Sequence, residues 1–250
     1  MSRLLGRAAG QEAGRTVLAQ FEAFLGGLDL ESYRTRYSKT KTVEANLPKK
    51  IQPLRAMYET YWDCREAALW MGYGEFYEHY KSTIPRELEE FRESCGFSHE
   101  TFYHGLPARI YRTWASMLTQ IQGAYVLEGI YGHGKVRMGV ELDRSGTDIA
   151  VRCLGNHDLY IQVKKETMRR DFRAGATARR GSQKKKVMLA YAVPRSRWLR
   201  DGRPSKPYLD WEAKWAGRLE YLENGFVIFK PAYFDLGNLI AELAPDGPAA

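Results

Sequence analysis

Three cysteines in 250 residues, Cys64, Cys95 and Cys153, are too few and too far apart for a disulfide framework. No Cys-x-x-Cys is present to build a zinc knuckle. The odd count fits a reducing compartment. No run reaches the roughly 18 apolar residues of a membrane helix. Met1 to Arg15 lacks the apolar centre of a signal peptide. A cytoplasmic protein with a frayed basic start and no membrane partner is therefore expected. The Gly-rich spacings of a P-loop and of a dinucleotide fold are also missing, which argues against nucleotide hydrolysis and redox chemistry. Internal repeats and long disordered tracts are absent as well.

What the chain does have is a core and a concentrated positive charge. Apolar residues make up 44% of it, enough for one large domain or two small ones. Residues 164–186 hold ten basic side chains against two acids, a net +8 that equals the formal charge of the whole chain. The remainder is balanced. A polyanion is the natural partner for such a segment.

Apolar spacing predicts helices first. Val17, Leu18, Phe21, Phe24, Leu25 and Leu28 recur at helical intervals, and Gly26-Gly27 loosens the end. Residues 38–53 read as a connector. Further helices are expected over 54–69, 75–80 and 86–93. Pro107 fits the first position of the strongest helix, whose stripe is Ile110, Trp114, Met117, Leu118, Ile121 and Tyr125. The pattern then changes to strands at 147–153, 159–164, 187–193 and 226–230, with a helix at 210–222. The order predicts an α/β (α+β) protein: a helix-rich region 1–105, then a mixed-sheet core over 106–250 carrying a basic segment 164–206.

The most informative stretch lies between Glu141 and Lys165. It reads Glu-Leu-Asp-Arg-Ser-Gly-Thr-Asp at 141–148, and Tyr-Ile-Gln-Val-Lys-Lys follows at 160–165 after a turn. Hydrolysis of a phosphodiester needs an activated water and neutralised charge in the transition state. A divalent metal supplies both, and Mg²⁺ prefers carboxylate and carbonyl oxygens. Asp148, at the head of a strand, is the first candidate ligand, and Asp143 the second. Side chains i and i+2 share a strand face, so Gln162 and Lys164 point one way and Lys165 the other. Lys164 is placed to orient water or to stabilise developing charge. Gln162 stands where an acid is more usual, so Glu128 or Glu141 is a possible recruit. Taken alone, the spacing is loose, since many edge strands end in lysines and many basic runs are solvated loops.

Other features carry less. Asn156-His157-Asp158 reads as a polar turn rather than a histidine–metal centre, and His133 as an exposed loop residue. Most of the six tryptophans read as core. Trp198 is the exception, because Arg195, Arg197 and Arg200 surround it.

Several blocks together resemble the TaqI restriction endonuclease family. They are Phe-Glu-Ala-Phe-Leu-Gly-Gly-Leu-Asp-Leu-Glu-Ser-Tyr at 21–33, Lys-Thr-Val-Glu-Ala-Asn-Leu-Pro at 41–48, and Ala-Arg-Ile-Tyr-Arg-Thr at 108–113. The Asp143–Asp148 block, Ile-Gln-Val-Lys-Lys-Glu-Thr at 161–167 and Arg-Leu-Glu-Tyr-Leu-Glu-Asn-Gly-Phe-Val-Ile-Phe at 218–229 complete the series. The resemblance implies a variant of the PD-(D/E)-x-K nuclease core and a type II enzyme that cuts DNA at TCGA with Mg²⁺. It places the family's acids on Asp143 and Asp148 and its lysine in the pair Lys164-Lys165. Strand alternation favours Lys164 and the family's lysine pair favours Lys165, so both stay open.

A palindromic target implies a homodimer on the DNA, and a restriction system implies a protecting methyltransferase. Arg169, Arg170, Arg173, Arg179, Arg180, Lys184, Lys185, Arg195, Arg197 and Arg200 are the expected DNA contacts, many of them to phosphate alone. Two rival functions are a repair or structure-specific nuclease on the same core, and a non-catalytic DNA-binding module. Gln162 in the place of an acid favours the second rival.

Overall fold

A computed structural model describes residues 2–40, 47–153, 158–166, 175–179, 186–194, 197–199 and 201–235. The core is organised around one long helix. Among the described residues there are eight α-helices and two sheets, an α+β arrangement. Helices α1 (Ser2–Gly26), α2 (Leu30–Tyr37), α3 (Leu54–Tyr58), α4 (Tyr73–Thr83) and α5 (Pro85–Ser94) precede α6 (His99–Tyr131). Strand β1 (Val136–Arg137) and helix α7 (Val140–Arg144) come next. Strands β2 (Ile149–Arg152), β3 (Asp158–Glu166), β4 (Gly175–Arg179) and β5 (Lys186–Ala192) follow. Helix α8 (Lys206–Trp215) and the hairpin β6 (Leu219–Tyr221) and β7 (Val227–Phe229) close the described chain.

Helix α6 is apolar nearly all round, as a helix enclosed by other elements must be. Trp114, Leu118, Ile121, Ala124, Tyr125 and Leu127 are fully buried. Helix α1 lies along it, and Gly14 makes the approach possible: a Cβ there would sit 3.1 Å from the Glu128 carbonyl. Gln122, buried at the middle of α6, ties three elements together. Its amide donates to Phe229 O at 2.9 Å and to Glu22 Oε1 at 2.9 Å, and its oxygen accepts from Phe229 N–H at 2.8 Å. A buried amide is stable here because these bonds leave both ends of the group satisfied.

The main sheet has the order β1-β2-β3-β5-β4. Strands β3 and β5 run parallel, and every other neighbouring pair is antiparallel. Ile149, Val151, Ile161, Val163, Val187 and Leu189 are buried. They alternate with the residues of interest along β2 and β3, so the opposite face carries the positions of Asp148, Gln162 and Lys164.

Several expectations need correction. Residues 2–15 are not frayed but helical, since α1 begins at Ser2. Pro107 does not open a helix but lies inside α6, whose cap is Ser98, accepting from Thr101 N–H. The proline removes one i→i−4 bond; tertiary packing sustains the helix, and the Pro107 carbonyl accepts from the Tyr73 hydroxyl. The single helix over 54–69 is broken into α3, a π-helical turn at Glu59–Asp63 and a 3₁₀ turn at Arg65–Ala67. The expected helix 210–222 starts earlier, at Lys206, where Ser205 caps it, and ends at Trp215, leaving room for β6. Strand β4 and helix α7 were not foreseen. Among the described residues no helix is long and apolar enough to cross a membrane.

Candidate active site

Asp143 and Asp148 are brought together by the way α7 ends. Gly146 adopts φ +72°, a conformation open to glycine and costly for other residues. Its N–H donates to Asp143 O at 2.8 Å, and Thr147 N–H donates to Leu142 O at 3.0 Å. This is the paired bonding of a Schellman motif, which satisfies the last helical carbonyls and reverses the chain. The chain emerges as β2 with Asp148 at its head. Asp143 therefore sits on a helical turn and Asp148 just ahead of a strand, joined by four residues.

Asp148 is nearly buried, at 7% exposure. Its N–H donates to Ile161 O at 3.0 Å, and its Oδ2 accepts from Val163 N–H at 2.6 Å. One oxygen of the carboxylate is thus used to hold β3. The pairing of Ile149 with Ile161 sets Gln162 beside Asp148 on the same sheet face. Strand β3 stays in continuous register with β5 from Tyr160 to Glu166. With no bulge on that side, Lys164 follows Gln162 on the same face and Lys165 turns to the other.

Helix α3 packs against α7 and supplies a residue that spacing in the sequence does not reveal. The Tyr58 hydroxyl is buried and has no hydrogen-bond partner among the described residues. Burial and then the charges of Asp143 and Asp148 hold its pKa far above the ordinary phenol value. Both carboxylates therefore act on this one hydroxyl, although Tyr58 lies some eighty-five residues upstream. Burial also holds the Asp143 carboxyl above the usual carboxylate range. Removing a carboxylate from water favours either a proton or a cation beside it.

These groups suit a hard divalent cation. They offer two carboxylates, an amide oxygen at Gln162 and a buried hydroxyl without a partner, all oxygen donors of the kind Mg²⁺ and Ca²⁺ accept. Among the described residues no three His, Cys, Asp or Glu side chains converge. Carbonyl oxygens and water would have to complete the coordination.

The other suggested acids are placed elsewhere. Glu128 is fully buried, but Arg65 engages it through Nε at 3.1 Å and Nη2 at 3.2 Å. Glu141 is exposed and paired with Arg144 at 2.6 Å. His133 is not a free loop residue: its Nε2 lies 3.0 Å from Glu66. His157 lies outside the described residues, and Asp158 binds Arg137 on β1 and Arg152 on β2.

Of the expected DNA contacts, Arg169, Arg170, Arg173, Arg180, Lys184, Lys185, Arg195 and Arg200 lie outside the described residues. Arg179 ends strand β4. The Arg197 guanidinium lies 4.9 Å from the Trp198 ring and 5.2 Å from the Tyr208 ring. Trp198 keeps 49% of its surface exposed, whereas Trp62, Trp114, Trp211 and Trp215 are buried.

One acid at the head of a strand and another on the helix before it, beside an amide and an ammonium on the neighbouring strand, suit the cleavage of a phosphodiester. Comparison with known proteins identifies the family. Residues 18–240 match the TaqI restriction endonuclease family, and the chain belongs to that family. It is 35% identical over 225 residues to the type II restriction enzyme TaqI of Thermus aquaticus, covering 86% of this chain and 84% of the relative. It is 34% identical over 240 residues to the type II restriction enzyme TthHB8I of Thermus thermophilus, covering 91% and 89%. No solved structure matches. The chain is thus a type II restriction endonuclease, a site-specific deoxyribonuclease acting on double-stranded DNA. Membership in the family sets aside the two rival functions.

Proposed function

We propose that this enzyme hydrolyses DNA at the palindrome TCGA with Mg²⁺, acting as a homodimer on its target. The observation that supports the reading is the placement of Asp148 and Gln162 side by side, with Asp143 and Tyr58 close and Lys164 on the same face. The palindrome itself rests on the family. A cytoplasmic location and a partner methyltransferase belong to the same reading, as does the role of residues 106–250 as nuclease core.

Asp143 and Asp148 would hold the metal, Gln162 lending its amide oxygen. The metal, when bound, supplies a water of lowered pKa and neutralises charge on the phosphate. Lys164 orients that water or stabilises the charge that develops on the phosphoryl oxygens. Asp148 is fixed for this by its bond from Val163 N–H, which spares the site a reorganisation cost. The arginines and lysines of segment 164–206 follow the phosphate backbone and set register.

The test is plasmid digestion. With Mg²⁺, discrete fragments ending at TCGA are expected, and chelation by EDTA should stop cutting. A smear, cutting at another sequence, or full activity without a divalent ion would overturn this assignment.

A further inference from the structure

On the sheet face opposite the acids, α2, α6, β3, β5 and β7 line an open cavity of about 310 Å³. Arg34 reaches it from α2, Arg112 and Ser116 from α6, and Lys165 and Tyr191 from the paired strands β3 and β5. The turn at Gly225 forms one edge. Three cations line this cavity, and no aspartate or glutamate does. The larger groove beside α7 differs, because there Lys50, Arg55 and Arg144 are each paired with a glutamate.

Arg34 is held in place by neutral groups. Arg34 donates to Gly225 O at 2.9 Å and to Asn224 O at 3.4 Å, carbonyls that orient the guanidinium without neutralising it. Gly225 suits this turn because its φ is +80°, a conformation that other residues rarely adopt. Lys165 is exposed along part of its length, yet its ammonium is held below the usual lysine pKa by desolvation and then by Arg34. Two like charges kept this close cost free energy that an anion between them would recover. A guanidinium fork and an ammonium together match the oxygens of a phosphate group. Ser116 adds a hydroxyl.

Lys164 and Lys165 leave the end of β3 on opposite faces. We propose that Arg34, Arg112 and Lys165 form a second phosphate site, which holds a backbone phosphate of the DNA away from the bond to be cut. The proposal rests on the reading of this chain as a DNA-cleaving enzyme. It makes Lys165 an anchoring residue and leaves the reacting phosphate to the other face.

The test is equilibrium binding of the full chain to a fluorescent duplex containing TCGA, in Ca²⁺, between about 50 and 200 mM salt. Wild type is compared with Arg112→Gln, Lys165→Met and the double variant, each checked for an unchanged thermal unfolding temperature. Arg112 is an exposed helix residue, so its variant keeps the proposal testable if Lys165→Met folds poorly.

Each single variant should bind more weakly, with the slope of log Kd against log salt reduced by about one. The double variant should lose no more slope than a single one, because both side chains serve one phosphate. Unchanged slopes would overturn the proposal, and so would a double variant that loses about two. Titration of the DNA-free chain with inorganic phosphate separates the sources. Phosphate binding that depends on Arg112 and Lys165, with unaltered DNA slopes, would mean a free-anion site and overturn the DNA assignment. Failure of wild type to cut at TCGA would sink the nuclease reading instead. Normal wild-type cutting with unchanged variant slopes would sink only the second site.

Discussion

The carboxylate of Asp148 accepts a 2.6 Å hydrogen bond from the backbone of Val163, so the first candidate metal ligand also fastens β2 to β3. Charge and structure can therefore be separated at this residue. Asp148→Asn keeps an oxygen for the Val163 N–H and removes the charge. Its unfolding temperature should stay near wild type while cleavage falls by on the order of 10²–10³-fold or more. Asp148→Ala should lose cleavage and also about 1–3 kcal/mol of stability, because a buried N–H is left unpaired. Plasmid digestion and thermal unfolding of both variants check this; an Asn variant that cuts at the wild-type rate would remove Asp148 from the site.

The two lysines at the end of β3 should separate by assay. Lys164→Ala is expected to lower the single-turnover cleavage rate on saturating enzyme by about 10²-fold. Lys165→Met should act mainly on the affinity for DNA and on its salt dependence. Cleavage time courses at high enzyme excess, paired with anisotropy, give the comparison. The reverse pattern would move the catalytic role to Lys165.

Glu128 and Arg65 form a buried pair, with side-chain exposures of 0% and 14%. The Arg65 guanidinium also lies 4.4 Å from the Trp62 ring and donates to Trp62 O. Glu128→Gln leaves a cation without its carboxylate and should cost about 3–5 kcal/mol in urea unfolding. Replacing both partners, Glu128→Leu with Arg65→Met, should recover most of that loss. A double variant no better than the single one would show that the ion pair is not the unit of stability here.

Glu22 gives a pH signature. Burial raises its pKa, more than Lys230 and the bond from Gln122 lower it. A carboxyl whose folded pKa lies above its unfolded value holds its proton more tightly when folded. It therefore favours folding at low pH, and that contribution is lost as pH rises through the folded pKa. Glu22→Gln should unfold at a higher temperature than wild type at pH 8, and the difference should close as pH falls towards 4. A constant difference across that range would rule out Glu22 as the source.

Much of the site was legible because its parts are close in the chain. Gly146 allows a tight turn, Asp148 heads a strand, and the two-residue alternation of β3 separates Lys165 from Gln162 and Lys164. The apolar stripe of α6 gave the central helix by the same kind of local rule. Pro107 misled, since a proline preference for helix starts is weaker than the packing that carries α6 through it. Helix α7 escaped notice because five residues are too few to show a period.

By itself the sequence carried the α+β order, the focused positive charge and the candidacy of Asp143, Asp148, Gln162 and the lysine pair, while the family came from its resemblance to known sequences. The order, the charge and the candidate residues follow from local spacing and composition, which the chain carries without folding. Only the tertiary structure decided that the charges of both acids act on the buried Tyr58 hydroxyl, that Glu128 is bound to Arg65, and that Arg34 and Arg112 line one pocket with Lys165. Those contacts join residues dozens to more than a hundred positions apart, and packing alone brings them together.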